Sequence, residues 1–132
     1  MKIWYAHGSE HSANLVMIGR FKSAADAARA KQTIDSLAGA VNAEFREGSL
    51  SFGSLPERFS EKMRELLERE KIYSIAPHEL EQFAEDVNVN HNGTEVKIGT
   101  DEIEVSAFMK VLIDRGAKLE IYSAHSYPDE GK

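Results

Sequence analysis

The chain has 132 residues, 42% hydrophobic and 29% charged, with a formal net charge of −6 and no cysteine. That is enough chain to bury one core, and the absence of cysteine excludes disulfides, thiolate metal centres and a cysteine nucleophile. No apolar run approaches the roughly 18 residues of a membrane span, and the 16 Lys and Arg are interleaved with acids rather than gathered into the basic face that grips phosphates.

Lys2 to His7 reads as a first strand, through Ile3, Trp4 and Tyr5, with no charged-then-apolar signal layout before it. Gly8 to Ala13 is a polar turn, and 14–21 is a second strand around the apolar run Leu15-Val16-Met17-Ile18, with Gly19 marking a bulge. Ser23 caps a helix over 23–38 that stops at Gly39, with a narrow, alanine-rich stripe of Ala27, Ala30, Ile34, Leu37 and Ala38. Glu47-Gly48 sits between short alternating runs, so 43–52 reads as a minor hairpin.

A second helix starts near Ser54 and Pro56 and reaches Lys71, with Phe59, Met63, Leu66 and Leu67 inward and Glu65 four residues before Arg69 on the outer face. Pro77 opens a short third helix carrying Leu80, Phe83, Ala84 and Val87. The segment Val87–Ile98 is a hairpin with Asn92-Gly93 as its turn, which sets Val89 opposite Val96 and Val87 opposite Ile98 and leaves Asn88, Asn90, Glu95 and Lys97 on a polar face. Helices should therefore cover one side of this sheet. Thr100 or Asp101 caps a fourth helix with Val105, Phe108, Met109 and Leu112 inward; Gly116 ends it, 118–123 is the last strand, and 127–132 is a mobile polar tail.

The core order is strand, helix, strand, strand, helix, strand. It resembles the ferredoxin-like superfold: an α+β two-layer sandwich of split βαβ units, here with an extra N-terminal strand and a helical insertion at about 43–86, all within a single domain 1–132. A superfold carries little functional information.

One geometric consequence bears on chemistry. In that fold the first core strand lies beside the last, so the extra strand can reach the last strand's far edge and run parallel to it. The stretches IWYAHGS at 3–9 and IYSAHSY at 121–127 share a pattern, and aligned they bring His7 and His125 to one end of the sheet, near the turn holding Ser9, Glu10, His11 and Ser12. There His7 and His125 would act as acid and base with Glu10 orienting an imidazole, and Ser9, His11 and Ser126 would bind an anionic group. No cofactor is required. If a metal is bound, zinc or another divalent cation, its ligands are His7, His11 and His125. His7-Gly8-Ser9 is similar to one copy of the His-x-Ser/Thr pair of two-histidine phosphoesterases, but Tyr127 and Ala13 stand where the second copy needs Ser or Thr, so that family's residues are not carried over.

Other signals are structural. His78-Glu79 begins like a zinc-protease helix, but Gln82 replaces the second histidine, and Glu79 reads as a first-turn acid complementing the helix dipole. His91 is an exposed hairpin-tip residue. Trp4, Tyr5, Tyr73 and Tyr122 read as core or sheet-edge residues. The functional expectation is a small acidic module of a bacterial-type cytosol that binds a protein partner, as an immunity-like inhibitor or accessory subunit, or a second copy of itself, with neither nucleic acid nor membrane. The alternative is an enzyme acting on a small molecule or phosphoester through the histidine cluster.

Overall fold

The computed structural model describes residues 2–3, 15–48, 50, 58–84, 87–100 and 105–123. The chain forms β1 (Lys2–Ile3), β2 (Leu15–Arg20), α1 (Ala24–Glu47), α2 (Glu61–Glu70), a 3-10 helix (Pro77–Ala84), β3 (Val87–Asn92), β4 (Glu95–Thr100), α3 (Ser106–Asp114) and β5 (Lys118–Ser123). It is a mixed α+β structure. The sheet order is β1-β5-β2-β4-β3; the four long strands pair antiparallel, and β1 joins β5 in parallel.

Alternation decides which face of the sheet is buried. Leu15, Met17, Val96, Ile98, Leu119 and Ile121 share one face and are buried. They join Ala27, Ala30, Ile34 and Leu37 of α1, and Phe108 and Leu112 of α3, in one core. The small stripe on α1 lets that helix lie close to the strands. Phe83 and Phe108 meet with ring centroids 4.9 Å apart at a tilt of 55°, a favoured aromatic geometry. The opposite sheet face is mixed: Ile18, between Lys97 and Glu120, is buried there, while Arg20 is hydrogen-bonded to Glu95 and Glu120, and the Tyr122 hydroxyl donates to Glu120 at 3.1 Å.

Several boundaries differ from the sequence expectation. α1 passes through Gly39 and ends at Gly48, which takes φ 86°. A glycine inside a helix costs about 1 kcal/mol, and the continued burial of Val41 and Glu44 outweighs it. Glu47-Gly48 is thus the end of α1 rather than a hairpin turn, and the insertion expected from 43 starts only after it. α2 begins at Ser60, whose hydroxyl accepts from the Met63 N–H at 3.1 Å and donates to buried Glu44; the expected start at Ser54 lies outside the described residues. No ion pair joins Glu65 to Arg69; the pair on that face is Glu61 with Arg64 at 3.0 Å.

The hairpin keeps its faces but changes its register. Asn92 faces Glu95, Val89 faces Ile98 and Val87 faces Thr100. Within the hairpin only Gly93 has positive φ, at 60°. A type I′ turn at Asn92-Gly93 would need positive φ at both residues, whereas one at the first central position is the sign pattern of type II′, with Gly93 and Thr94 as the turn. The shift moves each partner by two residues, so every side chain stays on its own side. Gly19 is not a bulge. It pairs in regular register with Val96 and Leu119, and a Cβ there would meet Leu112 Cδ1 at 3.2 Å. Tyr73, expected in the core or at a sheet edge, lies in the connection after α2 and is 74% exposed. Among the described residues no helix is long and apolar enough to cross a membrane.

Candidate functional site

The expected histidine cluster lies outside the described residues: His7, Ser9, Glu10, His11, His125 and Ser126 all do. What is described is the pairing that leads to it. β1 lies beside β5 in parallel, with Lys2 opposite Glu120 and Ile3 opposite Ile121. This is the alignment that the two similar stretches suggest. Among the described residues no group of three or more His, Asp or Glu is placed to hold a metal ion. His78 is exposed. His91 is also exposed, and its Nε2 lies 3.0 Å from the Gly93 carbonyl oxygen.

Four groupings among the described residues bear on function. In the first, Glu79 is only 4% exposed. Its carboxylate accepts from the Ala76 N–H at 2.8 Å, from Lys110 Nζ at 2.8 Å and from the Ser106 hydroxyl. Burial pushes this carboxyl up; the bonds from Lys110, Ser106 and Ala76 outweigh burial and hold it below its ordinary value of 4.5. Beside it, Gln82 Oε1 accepts from the Ala107 N–H at 2.8 Å, while its amide donates to Ser106 at 3.1 Å. α3 has Val105 at its N-cap position and no side-chain cap of its own, so the 3-10 helix caps it from across the fold. The sequence signal for Glu79 is its position three residues after Ala76, the reach-back half of a capping box. Ser106 and Lys110 are four apart on one face of α3, but nothing local says what that face meets.

The second cluster binds three elements. Arg115 donates to Thr33 Oγ1 at 3.1 Å, to the Glu70 carbonyl at 2.8 Å and to the Glu70 carboxylate at 3.1 Å. It ties the end of α3 to α1 and to the last turn of α2. A saturated knot of this kind rigidifies and leaves no group free for chemistry.

The third lies next to it. A groove of about 770 Å³ runs along α1 and past the end of α2, lined by Arg29, Gln32, Ser36 and Arg69 among others. The guanidinium groups of Arg29 and Arg69 have no ion pair or hydrogen bond to any described residue.

The fourth is apolar at its centre. Tyr73 and Ile113 are the exposed large hydrophobics among the described residues, at 74% and 52%. The hydroxyl of Ser74, next to Tyr73, donates at 3.0 Å to Asp114, next to Ile113. That bond holds the α2-to-3-10 connection against the end of α3, and each apolar residue is next in sequence to one of its two partners.

Comparison with known proteins places these features in a family. A family model matches residues 1–132. The chain belongs to DUF6375, a family of unknown function. No curated protein matches this DUF6375 chain, and no solved structure does. Its function therefore has to be argued from its own residues.

Proposed function

We propose that this chain is a small acidic protein-interaction module, that it docks through the surface around Tyr73 and Ile113, and that the partner is a second copy of itself. The carrying observation is the exposure of these two side chains, whose sequence neighbours Ser74 and Asp114 are hydrogen-bonded to each other. Tyrosine is among the residues that dominate interface energetics, because it offers large rigid area with a polar tip. Lys71 and Asp114 flank the patch in sequence. It therefore carries both signs, and a two-fold pairing can place each against its opposite despite the overall charge of −6. Sedimentation of the wild type against a Tyr73→Ser, Ile113→Ser double variant tests this. The expected result is a dimeric mass for the wild type and a monomeric mass for the variant. A wild type that stays monomeric at millimolar concentration, or a variant that dimerises equally well, removes the reading. We further infer the ferredoxin-like class from the βαββαβ element order and the order β5-β2-β4-β3 of the long strands, and a bacterial-type cytosol as the setting for such a cysteine-free module.

One observation favours a second reading, an enzyme built on histidines. The register Ile3 opposite Ile121 is the one in which the similar stretches 3–9 and 121–127 align His7 with His125 in sequence, with Glu10 and His11 following closely. In this reading His7 and His125 work as acid and base on a small molecule or phosphoester, with Glu10 orienting one ring and Ser9, His11 and Ser126 on the substrate's charge. NMR titration of the five histidines with and without zinc tests it. Coupled titration of His7 and His125, or a joint response of His7, His11 and His125 to zinc, is the expected result. Five independent titrations near about 6.5 that ignore zinc would end the enzyme reading and leave the interaction reading untouched.

A further inference from the structure

We propose that the groove between α1 and the end of α2 binds a phosphate monoester, with Arg29 and Arg69 holding the phosphate. The argument is one of charge. The groove is lined by two acids as well as two arginines, but both acids are already neutralised from elsewhere. Asp35 accepts from Lys31 Nζ at 2.7 Å, and Glu70 is bound by Arg115 at 3.1 Å. The two groove guanidinium groups are left without a counter-charge from the described residues, on a chain whose formal net charge is −6. A guanidinium presents a planar fork of donors that matches phosphate oxygens, and a pair of them binds a dianion better than it binds a monoanion.

Two further features point the same way. Ala25, in the first turn of α1, lines one end of the groove, and the positive end of a helix favours an anion nearby. The opposing dipole of α2 is muted, because its last carbonyls are taken: Leu67 by Ile72, Glu68 by Lys71 and Glu70 by Arg115. Length then says more about the ligand. From Ala25 to Ser36 the groove follows α1 for about 16 Å at 1.5 Å per residue, much longer than a phosphate. Ala25 and Ala28 leave the wall beside Arg29 flat and small, room for a planar or apolar body, while Gln32 and Ser36 offer an amide and a hydroxyl. The ligand class is thus a phosphate monoester of about nucleotide size. The second groove, of about 430 Å³ near Arg58 and Arg64, lacks this arrangement, since Arg64 is already held by Glu61 at 3.0 Å.

The test is a titration followed by amide and arginine side-chain NMR, at constant ionic strength, with inorganic phosphate, adenosine monophosphate, adenosine and sodium chloride as the four probes. Saturable shifts at Arg29, Gln32, Ser36 and Arg69 are expected with phosphate and the monophosphate. The monophosphate should bind more tightly, and adenosine and chloride should leave those signals in place. Arg29→Gln and Arg69→Gln should each weaken binding at least tenfold. Both side chains are exposed, so circular dichroism of the variants should match the wild type. The proposal is overturned if phosphate and monophosphate shifts stay linear, if chloride or adenosine reproduces them, or if either variant binds phosphate like the wild type.

Discussion

At the scale of single residues, two glycines show how differently the same residue type is used. Gly39 lies inside α1, exposed, with nothing within 4 Å of the place a Cβ would occupy. Gly19 lies under α3, where a Cβ would come 3.2 Å from Leu112 and 3.4 Å from Ala117. Both look like breaks in the sequence, one as a helix stop and one as a bulge. Neither breaks anything. Gly39→Ala should stabilise the fold by about 0.5–1 kcal/mol, since it removes only the entropy cost of glycine in a helix. Gly19→Val should destabilise it by about 2 kcal/mol or more, because the added methyls must displace α3 from the sheet. Chemical denaturation of the two variants checks both signs; a destabilised Gly39→Ala would mean that the helix needs the glycine after all.

At the scale of elements, local signals were strong where they were paired with burial and weak where they were not. The last strand was expected at 118–123 and occupies Lys118–Ser123; the 3-10 helix starts at the expected Pro77. α3 ends at Asp114, and Gly116, just past its cap Arg115, takes φ 97°. By contrast, Gly39 reads as a helix stop, yet α1 runs on to Glu47, because Val41 and Glu44 are buried beyond the glycine. The hairpin register shifted for a related reason. Alternation specifies the face of each residue but is indifferent to a move of two, so the turn's backbone angles made the choice. The candidate site follows the same pattern. The alignment of 3–9 with 121–127 is suggested by two short similar stretches, and its first pair, Ile3 with Ile121, is observed, in step with Lys2 opposite Glu120. Glu79's partners, the Arg115 knot and the two arginines of the groove join residues far apart in sequence, and no spacing rule connects them.

At the scale of the whole molecule, stability should depend on acid in a way set by Glu79. Its carboxyl is held below the ordinary 4.5 in the folded chain, so the ionised form favours folding. That contribution is complete above about pH 4.5 and is lost as the pH falls through the unfolded value toward the lower folded one. Glu79→Gln should cost about 2 kcal/mol at neutral pH, since it removes the charge that Lys110 and Ser106 address in a nearly dry site. The gap between the wild-type and variant melting temperatures should narrow below pH 4. A gap that is constant with pH would show that the charge of Glu79 does not contribute. The same carboxylate joins the 3-10 helix to α3, so the loss should be felt across the core rather than in one helix.

The sequence by itself determined most of the strands and helices, which faces of the hairpin are apolar, and which sheet face the described helices pack on, because these follow from periodicities of about two and 3.6 residues and from caps read over three or four positions. Tertiary structure decided the rest. It chose how far α1 runs, who caps α3, which acids are neutralised and therefore which arginines are not. Those outcomes depend on what a side chain meets across the core, and neither burial nor a long-range ion pair is encoded in the neighbours along the chain.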